Sequence, residues 1–313
     1  MKIAFSTDSN YIMPATVTIT SFLQNNKGRS IELYLLYLKG DLIEKDLEAL
    51  QHLVESYQVC FYPLAIDKEK LQEMPVLRHG LSTYLRIFLP QLLPDVDKIL
   101  YLDVDIVVET SLQDLYDTDL TGYQFAAVPD LETLVPDYLE RIGFKREGLY
   151  FCAGILLMNL KELRKMDLPS ATKSYLMQYK EKIGHSDQDI LNCICTHVKY
   201  LPPKYNSIKD YIKPICQKLW DKKEIREARQ HPSIIHYLGA AKPWAYLTIH
   251  PHKNRWYKYL QMTPFKNYVP SDRNFNNFCR LQILKGKYLF VKGRILLGEM
   301  KRMIIPSPFL QRN

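Results

Sequence analysis

Lys98-Ile-Leu-Tyr-Leu-Asp103-Val-Asp105-Ile-Val-Val108 reads as a buried strand, an apolar run rich in Ile, Leu and Val that carries two aspartates one residue apart. Ionised carboxylates strongly resist leaving water, so two of them in such a run need compensation. Three arrangements supply it: a strand end that opens to solvent, a basic partner, or a divalent cation. The working expectation is the cation, held where the strand leaves its sheet.

Upstream, the chain alternates between strand and helix patterns. Lys2–Ser6 is a short apolar strand running into Thr7-Asp8-Ser-Asn10, and residues 11–26 follow as a helix that Asn25-Asn-Lys-Gly28 stops. Residues 31–38 (IELYLLYL) read as a strand, 41–56 as an amphipathic helix, and 57–63 as a third strand. Strand, helix, strand, helix, strand predicts a parallel sheet with right-handed crossovers.

Downstream, residues 82–89 look helical and 123–128 (YQFAAV) form a strand ended by Pro129-Asp130. Residues 148–159 enter a further strand through a glycine, and 161–182 read as a helix broken at Pro169. Ser186 is the expected N-cap of a helix whose first turn holds Asp187 and Asp189. A last short strand, 233–237, leads into Leu-Gly239-Ala-Ala-Lys242-Pro-Trp244. Asp8, Asp103, Asp105, Asp130 and His236 therefore all fall at or just after strand ends, where open parallel sheets bind their ligands. Carboxylates and an imidazole around one crevice are what a metal-assisted site needs.

Composition narrows the class. The chain has 313 residues and 47% hydrophobic content, enough for one large α/β domain with an appendage. No apolar run approaches the roughly 18–20 residues of a membrane span, and residues 1–8 lack a cleavable signal pattern, so a cytoplasmic protein is expected. The six cysteines are scattered without a Cys-x-x-Cys pair, which fits reduced, mostly buried thiols. Of the net charge of +8, residues 264–313 account for all, with ten Lys/Arg against two Asp/Glu. A neutral body with a basic tail, and without an aromatic and basic platform, argues against nucleic acid as a partner.

Five motifs in register carry a resemblance: Ser6-Thr-Asp8-Ser-Asn10-Tyr11, Tyr101-Leu-Asp103-Val-Asp105, Phe151-Cys-Ala-Gly154, Ser186-Asp187-Gln188-Asp189 and His236-Tyr-Leu-Gly239-Ala-Ala-Lys242-Pro243-Trp244. Across about residues 1–260 the chain resembles family 8 retaining glycosyltransferases. The most similar branch is that of the bacterial galactosyl- and glucosyltransferases that build lipopolysaccharide and related surface glycans. The resemblance implies a GT-A fold, a Rossmann-like mixed sheet flanked by helices, over residues 1–263. A basic, mostly helical extension over 264–313 is expected to follow it.

The same resemblance implies a set of roles. Asp103, Asp105 and His236 would bind Mn²⁺, with Mg²⁺ as the alternative ion; hard carboxylate oxygens with one imidazole suit the former. Ser6, Asp8 and Asn10 would belong to the uracil and ribose site of a UDP-hexose, although Asp8 equally suits a helix-capping turn. Val104, Ala153 and Gly154 would line the donor, Gly239 would admit the pyrophosphate, and Lys242 would place a charge beside it. Arg86 would reach the donor sugar and phosphate, and His79 would contact the diphosphate. Asp130 and Asp187 would accept hydrogen bonds from sugar hydroxyls. Trp244 receives no assigned contact. Cys152 departs from the Asn that relatives often carry before Ala-Gly, which leaves the identity of the hexose open.

The implied reaction is hexose transfer from the UDP-sugar to a glycan, glycolipid or glycoprotein hydroxyl, with retention. Gln188 would sit nearest the reacting face, and a neutral amide is a poor nucleophile. A front-face path through an oxocarbenium-like state is therefore expected, unlike the covalent route of retaining glycosidases. The alternative is an inactive nucleotide-sugar-binding module. Residues 278–304 interleave apolar with basic side chains, which suits an anionic membrane surface and a place at the inner face of the cell membrane; the competing arrangement is a hairpin packed on the domain.

Overall fold

The computed structural model describes residues 1–76, 80–145 and 147–304. His79 and the last nine residues of the basic tail lie outside the described residues.

Seven strands form one mixed sheet: β1 (Lys2–Ser6), β2 (Glu32–Leu38), β3 (Cys60–Ile66), β4 (Lys98–Leu102), β6 (Phe125–Pro129), β7 (Phe151–Asn159) and β8 (Val198–Tyr200), in the order β3-β2-β1-β4-β7-β6-β8. The first four positions are parallel, as the alternating pattern predicts, and β7 runs antiparallel to both β4 and β6. Strands this apolar must be covered on both faces, and the central ones are, while the edge strand β3 stays largely exposed. Ile3, Phe5, Leu33, Leu35, Leu100 and Leu102 pack on one side with Ile12, Ile19 and Phe22 of α1 (Ile12–Asn25). Ala4, Leu36, Ile99 and Tyr101 pack on the other with Ile190 and Leu191 of the helix Asp187–Ile194.

The opening stretch is not one strand. The main sheet ends at Leu102, and after Asp103-Val104-Asp105 the chain enters β5 (Ile106–Val108). β5 pairs antiparallel with β9 (Ile234–His236) in a separate ribbon, placing Ile106 opposite His236. The carboxylates thus stand in the gap between two sheets, outside any strand. Buried hydroxyls of α1 hold that gap. Thr18 Oγ1 donates to the carbonyls of Val104 (2.9 Å) and Ile106 (2.8 Å), and the Val108 amide donates to Ser21 Oγ (2.9 Å). Apolar periodicity could not reveal this break, because every residue from Ile99 to Leu102 and from Ile106 to Val108 is buried.

Other differences are local. The helix expected over 161–182 is two helices, Leu160–Arg164 and Leu168–Tyr179. Asp167, at φ +43°, makes the break, and Pro169 sits in the first turn of the second helix, where its missing N–H costs nothing. Residues 82–89 wind as a 3-10 helix over Ser82–Phe88, and the third strand begins at Cys60, after a turn in which Gln58 has φ +60°. Ser186 is at the expected N-cap position, yet its side chain makes no capping bond.

The tail forms a single helix, Phe275–Ile304, to the end of the described residues. Residues just before it are tied to the body: the Tyr246 and Leu247 amides donate to the Asp272 carboxylate (2.8 and 2.9 Å), and Tyr268 Oη donates to the Trp244 carbonyl (3.1 Å). No helix of the described residues is long and apolar enough to cross a membrane.

Candidate active site

Where β4 ends beside β7 and the β5–β9 ribbon, a pocket of about 350 Å³ opens. Asp103, Asp105 and His236 meet there, with one ligand atom from each within 4.8 Å of the others. His236 Nε2 lies 3.2 Å from Asp105 Oδ1 but makes no hydrogen bond, although the ring is buried. An orphaned nitrogen between two carboxylates is the environment a divalent cation satisfies, so the three residues fit a metal ion.

Asp103 is fixed from several sides. Its amide donates to the Gly154 carbonyl (2.8 Å), while Oδ1 accepts from Arg86 Nη2 (2.7 Å) and Tyr101 Oη (3.2 Å). Asp105 pairs with Lys242 Nζ, which also donates to the Tyr237 carbonyl (2.9 Å). Burial raises the Asp105 pKa, and the Lys242 and His236 charges more than reverse that and hold it below the ordinary carboxylate range. Burial pushes the His236 pKa down, and the neighbouring Asp105 charge more than reverses that.

Gly154 is required by crowding. A Cβ there would lie 2.4 Å from His236 Cε1 and 2.8 Å from Asp103 Oδ2. Gly239 is required for the opposite reason: open space surrounds its Cβ position, but its φ of +70° is a conformation other residues pay to adopt.

Arg86 is buried and fully engaged. Nη1 donates to the Ala153 carbonyl, Nη2 to Asp103, and Nε to Thr83 O (3.0 Å), with Asp187 Oδ2 2.9 Å from the same Nε. The guanidinium also stacks on the Tyr101 ring at 4.2 Å. Burial lifts the Asp187 carboxyl to about 7 despite the lowering pull of Arg86. Gln188 Oε1 accepts from the Ala153 amide (2.9 Å), which fixes the carboxamide along the pocket wall. Asp130 caps the turn Leu131–Leu134 through the Glu132 amide (3.0 Å), and burial raises its pKa.

The pocket wall includes Arg86, Asp103, Asp105, Asp130, Ala153, Gly154, Asp187, Gln188, His236, Gly239 and Lys242 from the sequence-derived set, and Cys152 joins them. Ser6, Asp8, Asn10 and Val104 stand apart from it. Ser6 shares a hydrogen bond of 2.5 Å with Tyr101 Oη, which links it to Asp103 at one remove. Asp8 caps the turn that precedes α1, accepting from Asn10 N (2.9 Å) and Tyr11 N (3.2 Å), and Asn10 is exposed. The Val104 side chain is buried in the core. Trp244 packs edge-on against Tyr11, with centroids 5.7 Å apart, so the Lys242 loop leans on the turn that follows Asp8.

Sequence reading missed a buried clamp. Asp189, fully buried, accepts from Tyr138 Oη (2.7 Å), Tyr150 Oη (2.5 Å) and the amides of Gly184 and His185 (both 2.8 Å). It thereby fixes the loop that brings His185 to the pocket mouth, 3.6 Å from Glu132. Two acids in a helix's first turn read as dipole partners, and nothing in that pattern says one of them faces inward.

Comparison with known proteins follows the same lines. The sequence profile described as Glycosyl transferase family 8 matches residues 2–248. The chain is 29% identical over 279 residues to a lipopolysaccharide 1,2-glucosyltransferase of Escherichia coli K12, covering 87% of this chain and 81% of that protein. It is 25% identical over 258 residues to a lipopolysaccharide 1,3-galactosyltransferase of Salmonella typhimurium LT2, covering 78% and 72%. Among solved structures, the galactosyltransferase LgtC in complex with donor and acceptor sugar analogues superposes with a TM-score of 0.76 at 27% identity, over 87% of this chain and 98% of that one.

Proposed function

The chain belongs to glycosyl transferase family 8, and from that premise we propose that it transfers galactose or glucose from a UDP-sugar to a hydroxyl of a surface glycan, glycolipid or glycoprotein, with retention and dependence on Mn²⁺. The observation that carries this reading is the meeting of Asp103 and Asp105, from the gap between two sheets, with His236 of β9, beside Lys242 and Gln188 in one pocket.

The three residues would hold the ion, which when bound supplies positive charge against the diphosphate leaving group. Lys242, at the opposite side of Asp105, adds a second positive charge to that wall. In the proposed step the anomeric C–O bond to the β-phosphate breaks and a C–O bond to the acceptor oxygen forms on the same face. The acceptor's proton passes to the departing phosphate oxygen, and UDP leaves. Gln188, its carbonyl held by the Ala153 amide, stabilises the positive charge on the sugar ring and attacks nothing. Asp130 and Asp187 accept from sugar hydroxyls, while Asp8 and Asn10 hold the uracil and ribose.

UDP-galactose and UDP-glucose hydrolysis without acceptor is the direct test. Turnover is expected with Mn²⁺ and is expected to vanish on chelation, with Mg²⁺ supporting less. Metal-independent binding of UDP-hexose without any turnover would instead mark an inactive binding module. Thermal-shift measurements with the two donors identify which hexose fits beside Cys152.

The same reading places the protein in the cytoplasm at the inner face of the membrane. Phe275, Phe278, Ile283 and Leu289 are exposed on the tail helix, which also carries Arg280 and Lys285. That combination suits an anionic lipid surface. Deleting residues 275–313, a cut that keeps the bonds from Tyr246 and Leu247 to the Asp272 carboxylate, is expected to abolish binding to vesicles containing anionic lipid and to leave transfer to a soluble acceptor intact. Vesicle binding unchanged by the deletion would refute the membrane contact.

A further inference from the structure

Asn206 ends the 3-10 turn Pro203–Asn206, is 2% exposed, and belongs to none of the motifs singled out in the sequence. Its Oδ1 lies 2.8 Å from His236 Nδ1. An amide oxygen can only accept, so the proton of this bond is on Nδ1. That makes Nε2, which faces Asp103 and Asp105 and has no hydrogen bond of its own, the nitrogen from which a bound cation would displace any proton. The other group near Nδ1, Cys152 Sγ at 3.9 Å, is a weak partner and does not compete.

Asn206 is itself held in register with the ribbon that carries the histidine. The Ser207 amide donates to Ile234 O (2.8 Å), the His236 amide donates back to Ser207 O (2.9 Å), and Ser207 Oγ donates to Ala228 O (2.6 Å). On the far side of the imidazole, the missing Cβ of Gly154 leaves room for Cε1. The ring is thus gripped at one nitrogen, backed by a glycine, and free at the other nitrogen alone.

We propose that Asn206 is a positioning residue that fixes the tautomer and orientation of His236 and thereby sets the affinity of the site for its divalent cation. The proposal rests on the metal reading above. Partners of this kind typically change metal affinity by roughly 10- to 100-fold when removed.

The test needs neither sugar nor turnover. Binding of Mn²⁺ alone to the full chain is measured by electron paramagnetic resonance for the wild type, Asn206→Leu and Asn206→Asp. Leucine matches the volume but cannot accept, whereas aspartate accepts. Asn206→Leu is expected to weaken binding by about 10- to 100-fold, and Asn206→Asp to stay within a few-fold of the wild type. Equal Mn²⁺ affinity in the wild type and Asn206→Leu overturns the role of Asn206 while leaving the metal site standing. Absence of Mn²⁺ binding by the wild type removes the metal reading and this assignment with it. A second measurement needs no variant: long-range ¹H–¹⁵N spectra of the Zn²⁺-loaded wild type are expected to show the His236 proton on Nδ1. A proton on Nε2 would overturn the proposal even if Asn206→Leu failed to fold.

Discussion

Asp103→Asn is expected to lower kcat/KM for transfer by roughly 10²- to 10³-fold, about 3–4 kcal/mol of lost transition-state stabilisation. The carboxamide keeps an oxygen for Arg86 Nη2 and Tyr101 Oη, so the hydrogen bonds at Oδ1 survive. What disappears is the negative charge shared between Arg86 and the metal position. Asparagine is the better choice than alanine for this reason. Asp103→Ala would leave Arg86, 2% exposed, with Asp187 as its one remaining ion-pair partner among the described residues, and breaking a buried pair costs stability in its own right. Retained Mn²⁺-dependent turnover in Asp103→Asn, measured with the melting temperature alongside, would sink the assignment of Asp103 as a ligand.

Gly154→Ala adds one methyl group and is expected to do comparable damage. Its Cβ would stand 2.4 Å from His236 Cε1, closer than carbon atoms approach, and the imidazole can retreat only by straining or breaking the Nδ1 bond to Asn206. Either His236 swings away from Asp105 or β7 moves away from β4. The first outcome weakens Mn²⁺ binding by about 10- to 100-fold; the second costs about 1–3 kcal/mol of stability, as overpacking does. Gly239→Ala is the control. Its Cβ meets nothing, so the cost is confined to roughly 1–2 kcal/mol for the left-handed backbone. Mn²⁺ titration and thermal unfolding of both variants check the contrast, and wild-type metal affinity and melting temperature in Gly154→Ala would refute it.

Much of this site could be read from the chain alone, and the limits have physical causes. Asp103-Val-Asp105 stood out because carboxylates in an apolar run demand compensation, and the structure supplies two kinds at once, Arg86 and Lys242 beside a cation-sized gap. The parallel order of β1 to β3 followed from alternating strand and helix periods. The reversal at β7 did not, because a strand buried on both faces has the same composition in either direction. The Asn206 contact and the inward-facing role of Asp189 were not legible for another reason: each acts through a partner distant in sequence, from a segment whose local pattern is that of an ordinary turn or helix start. Arg86, expected to reach the donor, forms ion pairs with Asp103 and Asp187 while facing the pocket, because both acids come from segments distant in sequence.

The break between β4 and β5 also bears on how the protein comes into being. The Asp103–Asp105 half of the site belongs to the first third of the chain, while β9, which completes the ribbon and delivers His236, comes much later; 137 residues separate Asp105 from Lys242. At about 5–20 residues per second, a ribosome takes on the order of ten seconds to cross that interval. Until it does, α1 can clasp Val104 and Ile106, and the early sheet can form, but of the three clustered residues the nascent chain holds only the two carboxylates. Its chemistry is therefore switched on late, by the arrival of one short strand after most of the scaffold is already built.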